Sequence, residues 1–183
     1  DFLMGWDMHT VIILTSIGII IYSMMGGLKA VIWADAIQGL ILIGGAVLCL
    51  AILMFSMPDG PMQTFELAAN SPMGNKFSLG AFTSDLTTST FWVCLIYGVF
   101  INLQNYGIDQ NYVQRYHAAK TDKDAKFSAL FGGYLFIPVS ALFFLIGSAL
   151  YSYYQAGVDM LPVEIQEKPD YAFPYFIVNG LPV

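Results

Sequence analysis

The chain has 183 residues, 57% of them hydrophobic and 11% charged, with a mean hydropathy of +0.64. Soluble domains carry roughly a quarter charged residues, so the composition excludes an ordinary water-soluble fold and points to an integral membrane protein. A net charge of −6 without a basic run excludes nucleic acid as a partner. The two cysteines, Cys49 and Cys94, lie inside apolar runs without metal-ligand spacing, which argues against a metal cluster or disulfide framework.

The chain starts at Asp1 without methionine or a basic leader and stops mid-loop at Val183, so it reads as an internal piece of a longer protein. About 20 apolar residues cross a bilayer as a helix, and the apolar runs predict an all-α membrane fold of four spans. The first covers residues 8–25 and stops at Gly26-Gly27, read as a helix end and tight turn. The second covers residues 30–57, carries Asp35 and Gln38 in its first turns, and is broken by Pro58-Asp59-Gly60. Residues 58–88 are rich in Pro, Gly, Ser, Thr and Asn and form a loop in which MQTFELAA reads as a short amphipathic helix. The third span covers residues 89–119 and the fourth 125–154, with a kink expected at Pro138. Tyr151, Tyr153 and Tyr154 mark the exit of the fourth as an aromatic belt, and residues 155–183 form a second loop.

Basic residues set the orientation. Lys29, Arg115, Lys120, Lys123 and Lys126 fall on one side of this topology, the last four in or beside the connection at 115–126. Lys76 and Lys168 share the other side with Asp59, Glu66, Asp85, Asp159, Glu164, Glu167 and Asp170. By the positive-inside rule the connection at 115–126 is cytoplasmic, and the loops at 58–88 and 155–183 are external.

The third span turns polar midway, at NLQNYGIDQNYVQRYHAAK, residues 102–120. Asn102, Asn105 or Tyr106, and Asp109 recur at three- and four-residue steps and share a helix face, expected to point into the protein. Gly107 loosens the backbone and Asp109 suits the cap of a new helical segment. The expected shape is a helix broken near residues 104–109, deep in the membrane, beside a polar cavity; secondary transporters build substrate sites in this way.

GGLKAVIWADAIQ, residues 26–38, followed by NLQNYGIDQNYVQRYHAAK, resembles the sodium:solute symporter family, which includes the sodium/glucose cotransporters. The resemblance extends over the whole chain, including PDYAFPYFIVNGLP, which looks like that family's outer loop after its seventh core helix. It implies a LeuT-type inverted-repeat core in which the four spans are core helices four to seven. It also implies sodium-coupled uptake of a small organic solute, a sugar or sugar-like molecule, by alternating access. Monocarboxylates, vitamin-like acids and amino acids are alternative solutes. The coupling ion that the resemblance implies is sodium, with no organic cofactor, and the setting is a bilayer, read as a bacterial inner membrane.

Residue by residue, the resemblance puts Asp35 in the sodium pathway, where a hard carboxylate oxygen suits a hard cation. The competing reading is a structural acid near the cytoplasmic end that favours the positive start of its helix and pairs with a neighbour; Gln38 reads as packing. Asn102 matches an asparagine that hydrogen-bonds the sugar in galactose-type members, and an amide offers both donors and an acceptor to hydroxyls. Those members carry a tyrosine three residues later, where this chain has Asn105 followed by Tyr106, so the inner gate differs. Asp109 and Gln110 match the family's [ND]-Q pair, with capping and ligand contact as alternatives. Phe136 stands where galactose-type members have lysine, which makes a galactose-type site doubtful. The histidines, His9 and His117, read as interfacial. An enzyme would need converging catalytic groups, and the spans supply only isolated acids; an ion channel subunit would need a filter or repeated pore-lining polar groups.

Overall fold

The computed structural model describes residues 6–72, 74–78, 80–166 and 168–181, all-helical with no strand among them; Glu167 and the Glu164 side chain lie outside this description. The elements are α1 (Met8–Phe55), α2 (Met62–Ala69), α3 (Phe91–Gly107), α4 (Gln110–His117), α5 (Asp122–Gln155), α6 (Val163–Gln166), a 3-10 turn (Pro169–Tyr171) and α7 (Ala172–Asn179). Two helices, α1 and α5, are long and apolar enough to cross a membrane, and α3 with α4 makes a third candidate as a pair bent by 46°.

The chain divides into two compact units, Asp1–Lys76 with Val139–Val183, and Phe77–Pro138. In the first, α1 starts at Asp7, whose carboxylate accepts from the His9 backbone N–H at 3.1 Å, satisfying one of the donors a helix start leaves open. Thr15 turns its hydroxyl back to the Val11 carbonyl at 2.7 Å, so it brings no unpaired polar group into the apolar run. The expected stop at Gly26-Gly27 takes a different form: no loop intervenes, and Gly27 alone leaves helical geometry at φ 58, ψ −155. That combination is essentially restricted to glycine, and helix resumes at once on its far side.

The core of this unit gathers where α1 and α5 end. Ala46, Cys49 and Leu53 form a stripe on α1, and Ile146, Ala149, Leu150 and Tyr153 form one on α5, with Met57 and Phe176 completing the cluster. These are three- and four-residue helical steps, so each set occupies one face. Tyr153 meets the Phe176 ring edge-on, centroids 5.4 Å apart, a favoured aromatic geometry. Polar contacts tie α2 and the segment after it to α5: the Ser152 hydroxyl lies 2.8 Å from the Thr64 carbonyl, Ser71 donates to the Tyr151 hydroxyl at 2.9 Å, and the Lys76 amine sits 4.8 Å from the Tyr151 ring centroid. Residues 155–183, expected as a loop, contain α7, and its Phe176 is fully buried.

In the second unit, Asp85 organises the approach to α3. Its carboxylate accepts from the Thr87 N–H at 2.8 Å and the Thr87 hydroxyl at 2.7 Å, and these bonds hold its carboxyl below the usual range. Thr90 then caps α3. At the start of α5, the Thr121 hydroxyl accepts from the Asp124 N–H at 3.2 Å and donates to the Asp124 carboxylate at 2.8 Å, so it satisfies one donor of the helix start.

Candidate functional site

α3 runs from an apolar first half into the amide-rich segment and stays helical through Gly107. The break falls after it, at Ile108 and Asp109, so Gly107 is the last helical residue and not the point of departure. The Gln104 carbonyl accepts from both the Ile108 and the Asp109 N–H groups at 2.9 Å. A continuous helix would give the Asp109 donor to Asn105. The Asn111 N–H turns instead to the Asp109 carboxylate at 2.7 Å, and the Tyr112 and Val113 N–H groups bond the Asp109 carbonyl at 3.1 and 3.0 Å. The carbonyls of Asn105, Gly107 and Ile108 therefore lose the backbone donors that unbroken winding would supply.

Asp109 has extended backbone, φ −64 and ψ 123, and is the N-cap of α4. A carboxylate at a helix start satisfies an open donor and favours the positive end of the helix dipole. Tyr106 and Tyr112 meet across the bend with ring centroids 5.2 Å apart. Asn105, Tyr106 and Asp109 are half-buried and lie together at the break.

Asn102 departs from expectation. It is exposed, and its amide donates to the Gly98 carbonyl at 2.7 Å, one turn back on the same helix. Periodicity groups side chains on a face without saying what that face meets, and an amide can satisfy a donor locally. One amide hydrogen and the side-chain oxygen are left for another partner. Asp35 lies half-buried on α1, and Gln38 is exposed. Asp35 stands eight residues past Gly27, beyond the first turn in which a helix dipole acts, so placement at a helix start does not account for it. Among the described residues no three His, Cys, Asp or Glu side chains gather as metal ligands. Phe136 is exposed on α5.

A model of the sodium:solute symporter family matches residues 1–182. The chain belongs to that family. Among its curated relatives, the sodium/sialic acid symporter SiaT of Proteus mirabilis is 36% identical over 180 residues, which cover 98% of this chain and 36% of that protein. The sodium/sialic acid symporter NanT of Aliivibrio fischeri is 30% identical, covering 97% of this chain and 35% of that protein. Human sodium-coupled monocarboxylate transporter 2 is 33% identical, covering 96% and 28%. The chain thus spans about a third of the length of these symporters. No solved structure matches it.

Proposed function

We propose that this chain is the middle part of a sodium-driven symporter that takes up a small organic solute by alternating access. The observation that carries the reading is the 46° bend between α3 and α4, where the carbonyls of Asn105, Gly107 and Ile108 lose their helical donors beside the half-buried Asn105, Tyr106 and Asp109. In hydrocarbon such groups are costly unless they line a wet cavity or bind something, and broken helices of this kind form transporter binding sites.

The four spans of this reading, residues 8–25, 30–57, 89–119 and 125–154, are core helices four to seven of a LeuT-type fold. Support comes from the length of α1: its 48 residues would extend about 72 Å as one rod, more than twice the roughly 30 Å of hydrocarbon, and Gly27 divides it into two pieces of spanning size. Asn102, Asn105, Tyr106 and Asp109 contact the solute or shape its pocket. Asp35 lines the sodium pathway and contributes one oxygen, the others coming from helices beyond this chain.

The solute is a sugar-like acid. The relatives named above carry sialic acid or monocarboxylates by name, and by the family resemblance Phe136 replaces the lysine of galactose-type members, which argues against a galactose-type site. Full-length protein in proteoliposomes tests the reading with labelled sialic acid, sugars, monocarboxylates and amino acids. Uptake of one of them is expected to require an inward sodium gradient, and uptake unchanged when potassium replaces sodium contradicts coupling.

A further inference from the structure

The first four turns of α5 have two unlike sides. At 100° per residue, Lys123, Lys126, Phe127, Leu130, Phe131 and Tyr134 fall within one arc of about 140°, and all six are exposed. The opposite side carries Ala125, Ala129 and Gly132, each half-buried, ahead of the exposed Phe136. Small residues are the side through which membrane helices approach one another closely, so the bulky side is the one left to lipid. Along that side the chemistry changes once. Lys123 and Lys126 occupy the first turns, then Phe127 and Phe131 stack with centroids 6.0 Å apart and planes 19° apart, and Leu130 and Tyr134 continue the apolar surface. The acids nearby, Asp122 and Asp124, lie about 40° and 20° beyond the two edges of the arc, and Asp124 is engaged by the Thr121 hydroxyl.

We propose that this face binds one anionic phospholipid, its phosphate between the amines of Lys123 and Lys126 and an acyl chain along Phe127 and Phe131. Charge complementarity selects the occupant. An apolar stripe accepts any lipid chain, whereas two amines at its polar end favour a headgroup with net negative charge, and lysine stems reach along apolar surface to present them. The assignment rests on the geometry of α5 and not on the transported solute.

Full-length protein in detergent micelles is offered phosphatidylglycerol, phosphatidylcholine with the same acyl chains, or inorganic phosphate, and retained lipid is counted by native mass spectrometry. Phosphatidylglycerol is expected to be retained in preference to phosphatidylcholine. The double variant Lys123→Gln, Lys126→Gln should weaken phosphatidylglycerol retention about thirtyfold with phosphatidylcholine unchanged, and Lys123→Arg with Lys126→Arg should restore it. Equal retention of the two lipids, or full phosphatidylglycerol retention in the glutamine variant, overturns the proposal. Displacement of the lipid by an equal concentration of inorganic phosphate overturns it as well, because the site would then belong to a soluble anion.

Discussion

Asp35→Ala in the full-length protein is expected to raise the sodium concentration for half-maximal uptake by about tenfold to a hundredfold, the range that follows from losing one charged contact. Asp35 is the single acid of α1 and lies half-buried, and an acid within a membrane span is a functional candidate by default. The control is Asp7→Ala. That carboxylate caps α1 at the His9 N–H, so its loss should cost about 0.5–2 kcal/mol of helix stability and leave sodium dependence as it was. Sodium titrations of uptake in the two variants distinguish the roles. Equal shifts would remove the reason for assigning Asp35 to the ion.

The largest stability effect is expected at Phe176. Its side chain is 0% exposed and sits against Tyr153 in the cluster where α1 and α5 end. Truncating a buried aromatic removes its packing and leaves a cavity the neighbours only partly fill, about 3–5 kcal/mol in well-packed cores. Phe176→Ala should therefore lower the melting temperature of the full-length protein by several degrees. Phe144→Ala, on the exposed side of α5, should change it little. A Phe176→Ala protein that melts with the parent would mean that α7 does not anchor the α1–α5 cluster.

Much of this organisation is legible from composition and spacing. Long apolar runs, their few charges and the two motifs lead to an all-helical membrane protein of the symporter family, because hydrocarbon leaves the backbone few alternatives to helix. MQTFELAA at 62–69 coincides with α2, and Asp109 caps α4, since both depend on local chemistry. Features that depend on distant partners or on single dihedrals are less legible. A glycine pair signals a break, but whether it becomes a loop or a one-residue deviation depends on the φ and ψ of Gly27 alone. Phe176 looks like one of many aromatics in a proline-flanked tail, and its burial arises only when α1 and α5 bring their stripes to it. Asn102, Asn105 and Asp109 share a helical period, yet Asn102 spends one donor on its own helix. Periodicity carries no information about that competition.

The central claim is that the α3–α4 break lines a wet, solute-accessible space inside the membrane. In a full-length background freed of native cysteines, Cys49 and Cys94 among them, Asn105→Cys and Phe100→Cys can be compared for reaction with a charged, water-soluble thiol reagent. Asn105 lies at the break, whereas Phe100 is exposed on the face of α3 opposite Asn102. The account predicts that Asn105→Cys reacts readily, that sodium together with solute slows the reaction, and that Phe100→Cys stays inert. An Asn105→Cys protein as unreactive as Phe100→Cys would contradict it.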